Sequence, residues 1–138
     1  MFSELNKYKN QGHFFFQKGK NLKDLSKDVP DLPGVYYILR LSRGKIDLVY
    51  IGKSGTIQQN GEFKEQGLNG RLNNKQEGIK REDFFNEKCT RENIDALDIY
   101  WFVTFDKKNQ DLPGFVEGTL LQRYFEVQGE LPSWNKEY

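Results

Sequence analysis

Tyr36, Tyr50, Arg71, Glu117 and Asn135 carry side-chain groups suited to one kind of chemistry. A phenol can orient a water molecule or take its proton, but its ordinary pKa of about 10 means that nearby cations must help. An arginine offers a forked, permanently charged donor to phosphate oxygens. A glutamate can hold Mg²⁺, a hard cation that prefers carboxylate, water and phosphate oxygens. An asparagine can hydrogen-bond within a site or to a substrate. These are the parts needed to hydrolyse a phosphodiester: water is activated, charge on the phosphate is stabilised, and the leaving oxygen is helped away. Lys53, directly after Gly52, is a second cation. Lys75 stands four residues after Arg71 and would share its helical face if the helix persists that far. It could bind phosphate or lower a tyrosine pKa, though lysine shuttles protons poorly unless its own pKa is depressed. Taken singly, each residue has an ordinary explanation. Tyrosine is favoured in strands, an acid in the first turn of a helix favours the dipole, and asparagine is common in turns.

The elements that would position these residues are legible from pattern. Val29-Pro30-Asp31-Leu32-Pro33-Gly34 is a turn. Residues 35–41 form an aromatic and branched strand, Ser42-Arg43-Gly44-Lys45 a turn, and 47–52 the return strand of an antiparallel hairpin. Lys53 to Gly67 reads as a loop. Leu68 to Asn74 is a short helix weakened by Gly70. Asp98 to Phe105 is nearly continuous in apolar residues, which predicts a central strand covered on both faces. A last helix runs from Phe115 to Val127, between Pro113-Gly114 and Gly129 with Pro132. Gly118 within it suggests close packing, or close approach of a strand or substrate backbone. Residues 1–30 are read as an N-terminal arm with a short helix over Asn21 to Lys27, and residues 31–138 as the domain proper. The predicted class is α+β, a three-stranded antiparallel sheet flanked by helices.

Composition sets the bounds. The chain of 138 residues is 36% hydrophobic and 30% charged, with Phe 11, Tyr 7 and Trp 2, which suits one globular domain. No stretch reaches the ~18 apolar residues of a membrane span. With Cys89 as its one cysteine the chain has no internal disulfide, and a cytoplasmic setting follows as the default. One cysteine and one histidine, His13, also argue against a Cys/His zinc site. His13 is read as structural or surface. The net charge of +1 counts against binding DNA by charge alone. Lys18 and Lys20 near the start, and Arg43 and Lys45 in the hairpin, could still contact phosphates; their ordinary reading is a solvated surface.

Gly34-Val35-Tyr36 opens one strand, Tyr50-Ile51-Gly52 closes the next, and Arg71, Glu117 and Asn135 follow in order. This ordered set resembles the GIY-YIG nuclease superfamily over roughly residues 31–138. The resemblance implies the three-stranded sheet already read from pattern, and a metal-dependent DNA endonuclease with Tyr36, Tyr50, Arg71, Glu117 and Asn135 in its active site. It implies a single Mg²⁺ (or Mn²⁺) held by Glu117. It departs from the family in a longer hairpin and in Lys75, where many members carry histidine or tyrosine. The chain's length favours a compact restriction-type or stand-alone nuclease, with a homodimer expected if it is restriction-type. The arm and the loop Thr56 to Gln66 would then supply sequence contacts. The competing readings are a non-catalytic nucleic-acid binding module on the same fold, and a protein-interaction domain anchored by Phe14, Phe15 and Phe16.

Overall fold

The computed structural model describes residues 2–64 and 66–138. Period-2 alternation builds its central sheet. In β2 (Gly34–Ser42), Val35, Tyr37 and Leu39 face one way and Tyr36 and Ile38 the other. In β8 (Ala96–Val103), Leu97, Ile99, Trp101 and Val103 join the face of Tyr36, and Phe102 joins the face of Tyr37. Both strands are covered on both sides, which explains their nearly continuous apolar sequence.

The sheet has four strands in the order β1-β8-β2-β3, all neighbours antiparallel, where β3 is Lys45–Ser54. The fourth strand corrects the three-stranded expectation. β1 (Gln11–Phe16) lies in the segment read as an arm and pairs with β8 from Gln11↔Phe102 to Phe16↔Leu97. Its burial alternates, so Phe16 is buried while Phe15 is half exposed. Phe14 to Phe16 is therefore an edge strand with one core face, and not an exposed anchor. Phe2, the short turn Ser3–Leu5 and Tyr8 pack under the sheet on the Tyr37 face.

Helices close both faces. α4 (Pro113–Gln128) covers the Tyr37 face through Val116, Leu120 and Leu121. Its termini follow the usual asymmetry, with Pro113 in the first turn and Gly129 left-handed at φ +75° after the last. The opposite face is covered by α1 (Leu22–Leu25), α2 (Leu68–Leu72) and α3 (Arg81–Arg91). Asn21 caps α1, its side chain accepting from the Asp24 amide at 3.0 Å. α3 fills a stretch for which the sequence pattern gave no element. It buries Phe84, Phe85 and Cys89 on one face.

Two small hairpins complete the chain. β4 (Thr56–Ile57) pairs with β5 (Phe63–Lys64), within the stretch read as loop. β6 (Lys75–Gln76) pairs with β7 (Ile79–Lys80) around Glu77 and Gly78, both at positive φ (52° and 83°) as a tight two-residue hairpin requires. This hairpin is why α2 stops at Leu72 and does not run on to Lys75.

Candidate active site

The tyrosines are brought together by a register shift. The tight turn at Arg43-Gly44 sets the pairs Ser42↔Lys45, Leu41↔Ile46, Arg40↔Asp47 and Leu39↔Leu48. Continued unchanged, that register would place Tyr50 opposite Tyr37, on the face away from Tyr36. A bulge at Val49 intervenes, and the pairs become Ile38↔Tyr50, Tyr37↔Ile51 and Tyr36↔Gly52. The extra residue moves Tyr50 to the face of Tyr36, and the two rings lie 5.9 Å apart.

The glycines of the two tripeptides have separate steric reasons. A β-carbon on Gly52 would sit 2.7 Å from the Tyr36 hydroxyl oxygen and 2.7 Å from the Tyr50 ring. One on Gly34 would collide with the backbone oxygen of Phe102. Gly52 therefore gives Tyr36 its space, and Gly34 lets β8 approach β2.

Tyr36 is fully buried, and its hydroxyl accepts a 3.0 Å hydrogen bond from Nη1 of Arg81, the first residue of α3. Arg81 is itself 1% exposed, with its guanidinium 5.8 Å from the ring centroids of both Tyr36 and Phe85. Sequence reasoning passed over Arg81. Its arginine type alone carries no sign of burial, and its segment was assigned no element.

Tyr50 reaches the surface. It lines a cleft of about 250 Å³ with Lys53, Ser54, Gly55, Thr56, Gln66, Arg71 and Glu117. The walls come from β3, the β4 hairpin, α2 and the first turns of α4. Lys53 runs along the start of α4, its Cδ 3.9 Å from where a β-carbon on Gly114 would be. Among the described residues no ion pair involves Lys53, Arg71 or Glu117. Burial pushes the Glu117 carboxyl above its ordinary range, while Lys53 and Arg71 pull it back. Burial likewise raises the Tyr50 phenol and the neighbouring Tyr36 adds to the rise, against the opposing charges of Arg81 and Arg71. The Ser54 hydroxyl is buried at the cleft wall and finds no partner among the described residues.

Asn135 stands behind the cleft. Its Oδ1 accepts from the Ile51 amide at 3.0 Å, and its Nδ2 donates to the Ile51 carbonyl at 2.9 Å. β3 is an edge strand, and Asn135 acts as a one-residue partner for the backbone between Tyr50 and Gly52. Its side chain is thereby committed to backbone, not to substrate. The Trp134 amide adds a bond to the Val49 carbonyl at 2.8 Å.

The remaining expected residues lie elsewhere. Lys75 is exposed in β6 and does not line the cleft, because α2 has already ended. Lys18 and Lys20 are exposed beside α3, where the Gly19 amide donates to Asn86. Arg43 and Lys45 are at the far tip of the β2–β3 hairpin, in a surface hollow with Arg40, Asp47, Arg91 and Glu92. His13 is paired to Asp98 at 2.7 Å and stacked on Tyr100, consistent with its structural reading. The atoms nearest to a β-carbon on Gly118 belong to neither a strand nor another helix. Its close neighbour is the Tyr138 hydroxyl.

The metal fit rests on one carboxylate. Among the described residues no three His, Cys, Asp or Glu side chains gather where they could hold an ion. Glu117 by itself offers a half-buried anionic oxygen pair in a cleft shared with Lys53 and Arg71. That suits a divalent ion completed by water and phosphate oxygens, and does not suit a closed protein cage. In comparisons with known proteins, no family model, no curated protein and no solved structure matches the chain.

Proposed function

We propose that this chain is a metal-dependent endonuclease of the GIY-YIG type, hydrolysing phosphodiester bonds in DNA. One observation carries the reading. Tyr50, Lys53, Arg71 and Glu117, from three separate elements, line a single cleft, with Tyr36 and Asn135 directly behind it. The ordinary explanations for these residues do not require them to meet.

In this reading Arg71 and Lys53 bind the phosphate and offset its growing negative charge. Tyr50, the tyrosine that reaches the cleft, orients the attacking water, and Tyr36 supports it from the core. Glu117 would hold Mg²⁺ or Mn²⁺, which when bound would polarise a phosphate oxygen or the water. Asn135 fixes the strand that carries Tyr50. The β4–β5 hairpin rims the cleft through Thr56 and is placed to touch the nucleic acid beside the cut. The setting proposed is the cytoplasm, in keeping with the free, buried Cys89. No helix among the described residues is long and apolar enough to cross a membrane. A restriction-type member would act as a homodimer on a palindromic site.

The test is cleavage of supercoiled plasmid and of linear duplex with Mg²⁺, with Mn²⁺ and with excess chelator. Nicking or cutting that needs the metal and is lost in Glu117→Gln is the expected result. Full cleavage in chelator would sink the metal-assisted mechanism, and failure to cut either substrate with either metal would remove the nuclease reading.

A further inference from the structure

Arg81 breaks two stability rules at once. A cation at the first position of a helix faces the positive end of the helix dipole. A guanidinium removed from water needs a carboxylate or a full set of acceptors. Arg81 is 1% exposed, and among the described residues its Nε finds no acceptor and no carboxylate forms an ion pair with it. Among the described residues its one side-chain hydrogen bond goes to the Tyr36 hydroxyl. Residues that violate local rules without a structural return concentrate at functional sites.

We propose that Arg81 is a positioning residue of this cleft: it fixes the Tyr36 hydroxyl and supplies the buried counter-charge for a phenolate on the Tyr36–Tyr50 pair. The purpose of that phenolate rests on the hydrolytic reading above; the geometry does not. In that role the phenol proton leaves to solvent. The phenolate then takes a proton from water as the water oxygen bonds to phosphorus. The bond from phosphorus to the leaving oxygen breaks, and its electron pair stays on that oxygen. Lys75, exposed in β6 and outside the cleft lining, does not supply this charge. Other charges reach the pair from every side: Lys53 on β3, Arg71 on α2 and Glu117 on α4 all line the cleft with Tyr50. Arg81 differs from them in being buried and in touching Tyr36.

The test separates Arg81 from the nuclease reading by using two readouts. Fluorotyrosine, whose phenol is more acidic, is placed at position 50 of the full chain, and its ionisation is followed by fluorine NMR without DNA. In Arg81→Met the midpoint is expected to rise by about one pH unit, a tenfold change in ionisation constant. Arg81→Lys, which returns the charge without the fork, is expected to move it partway. Arg81→Met should hold or raise the melting temperature, because it removes a desolvated cation and keeps an unbranched stem. Single-turnover cleavage should fall about 100-fold in Arg81→Met, and its rise with pH should shift upward by the same interval as the midpoint. Midpoints equal to wild type in folded variants would overturn the proposal. If Arg81→Met does not fold, Arg81→Lys decides alone. A shifted midpoint in a chain that cuts no DNA would support the Arg81 coupling while removing the nuclease reading.

Discussion

At the scale of single residues, the two tyrosines are unequal. Tyr36 is sealed in the core and held by Arg81, whereas Tyr50 lines the cleft. Tyr50→Phe removes one oxygen and keeps the ring, so thermal stability and DNA affinity should stay close to wild type. The single-turnover rate should fall by about 100-fold or more. Tyr36→Phe should behave differently, because it strips Arg81 of the side-chain acceptor it has among the described residues and so costs stability as well as rate. Equal rates for wild type and both variants would make the tyrosines ordinary strand residues. Glu117 gives a pH signature. Its folded carboxyl titrates above its unfolded value because burial disfavours the charge. Its contribution to stability is therefore favourable while protonated and is lost as pH rises through the folded pKa. Glu117→Gln should melt at a higher temperature than wild type at neutral pH, with the gap closing in acid, even as activity disappears. A melting temperature lowered at neutral pH would show that Glu117 is structural.

At the scale of elements, the site depends on an edge strand being held still. β3 has β2 on one side only, and Asn135 with Trp134 provides the other. Asn135→Ala leaves the amide and carbonyl of fully buried Ile51 without partners. The loss should be about 1–3 kcal/mol in denaturant unfolding, with faster hydrogen exchange localised at Ile51. Activity should drop while the metal requirement stays unchanged, since Asn135 contacts backbone alone. Unaltered exchange at Ile51 would argue instead for a direct role toward substrate.

At the scale of the whole molecule, the candidate basic groups are dispersed, with Lys53 and Arg71 at the cleft, Arg43 and Lys45 at the hairpin tip, and Lys18 and Lys20 beside α3. Arg43, in the turn that follows β2, lies seven residues from Tyr36, about 24 Å at the usual strand rise. A duplex lying along the hairpin would meet this tip about seven base pairs from the cut, at about 3.4 Å per step. Neutralising Arg43 or Lys45 should therefore weaken binding to long duplexes and lower the salt dependence by roughly one unit each. Short duplexes that end before the tip should bind these variants and wild type alike. Lys18 and Lys20, beside α3, should show a length threshold of their own if they touch phosphate at all. Affinity that falls equally for long and short duplexes would place the tip against the cleft-proximal DNA, contrary to this layout.

The sequence by itself determined what local rules govern. Aromatic and branched residues on either side of a Gly-bearing turn marked the β2–β3 hairpin, a nearly continuous apolar run marked the central strand β8, and proline with glycine bounded α4. Resemblance to the ordered GIY-YIG set singled out Tyr50, Arg71 and Glu117, with Lys53 added as a neighbouring cation, before their meeting in one cleft was visible. Tertiary structure decided the rest. β1 looked like an arm because its strand pattern is short, and only pairing with β8 makes it part of the sheet. Lys75 lost its expected place because a tight turn at Glu77-Gly78 outcompeted another turn of helix. Arg81 carries no local mark of burial; its role appears only where the start of α3 meets Tyr36. The face of Tyr50 was the most sensitive feature of all. Side chains alternate with a period of two, so the one extra residue at Val49 separates a Tyr50 that meets Tyr36 from one that faces away.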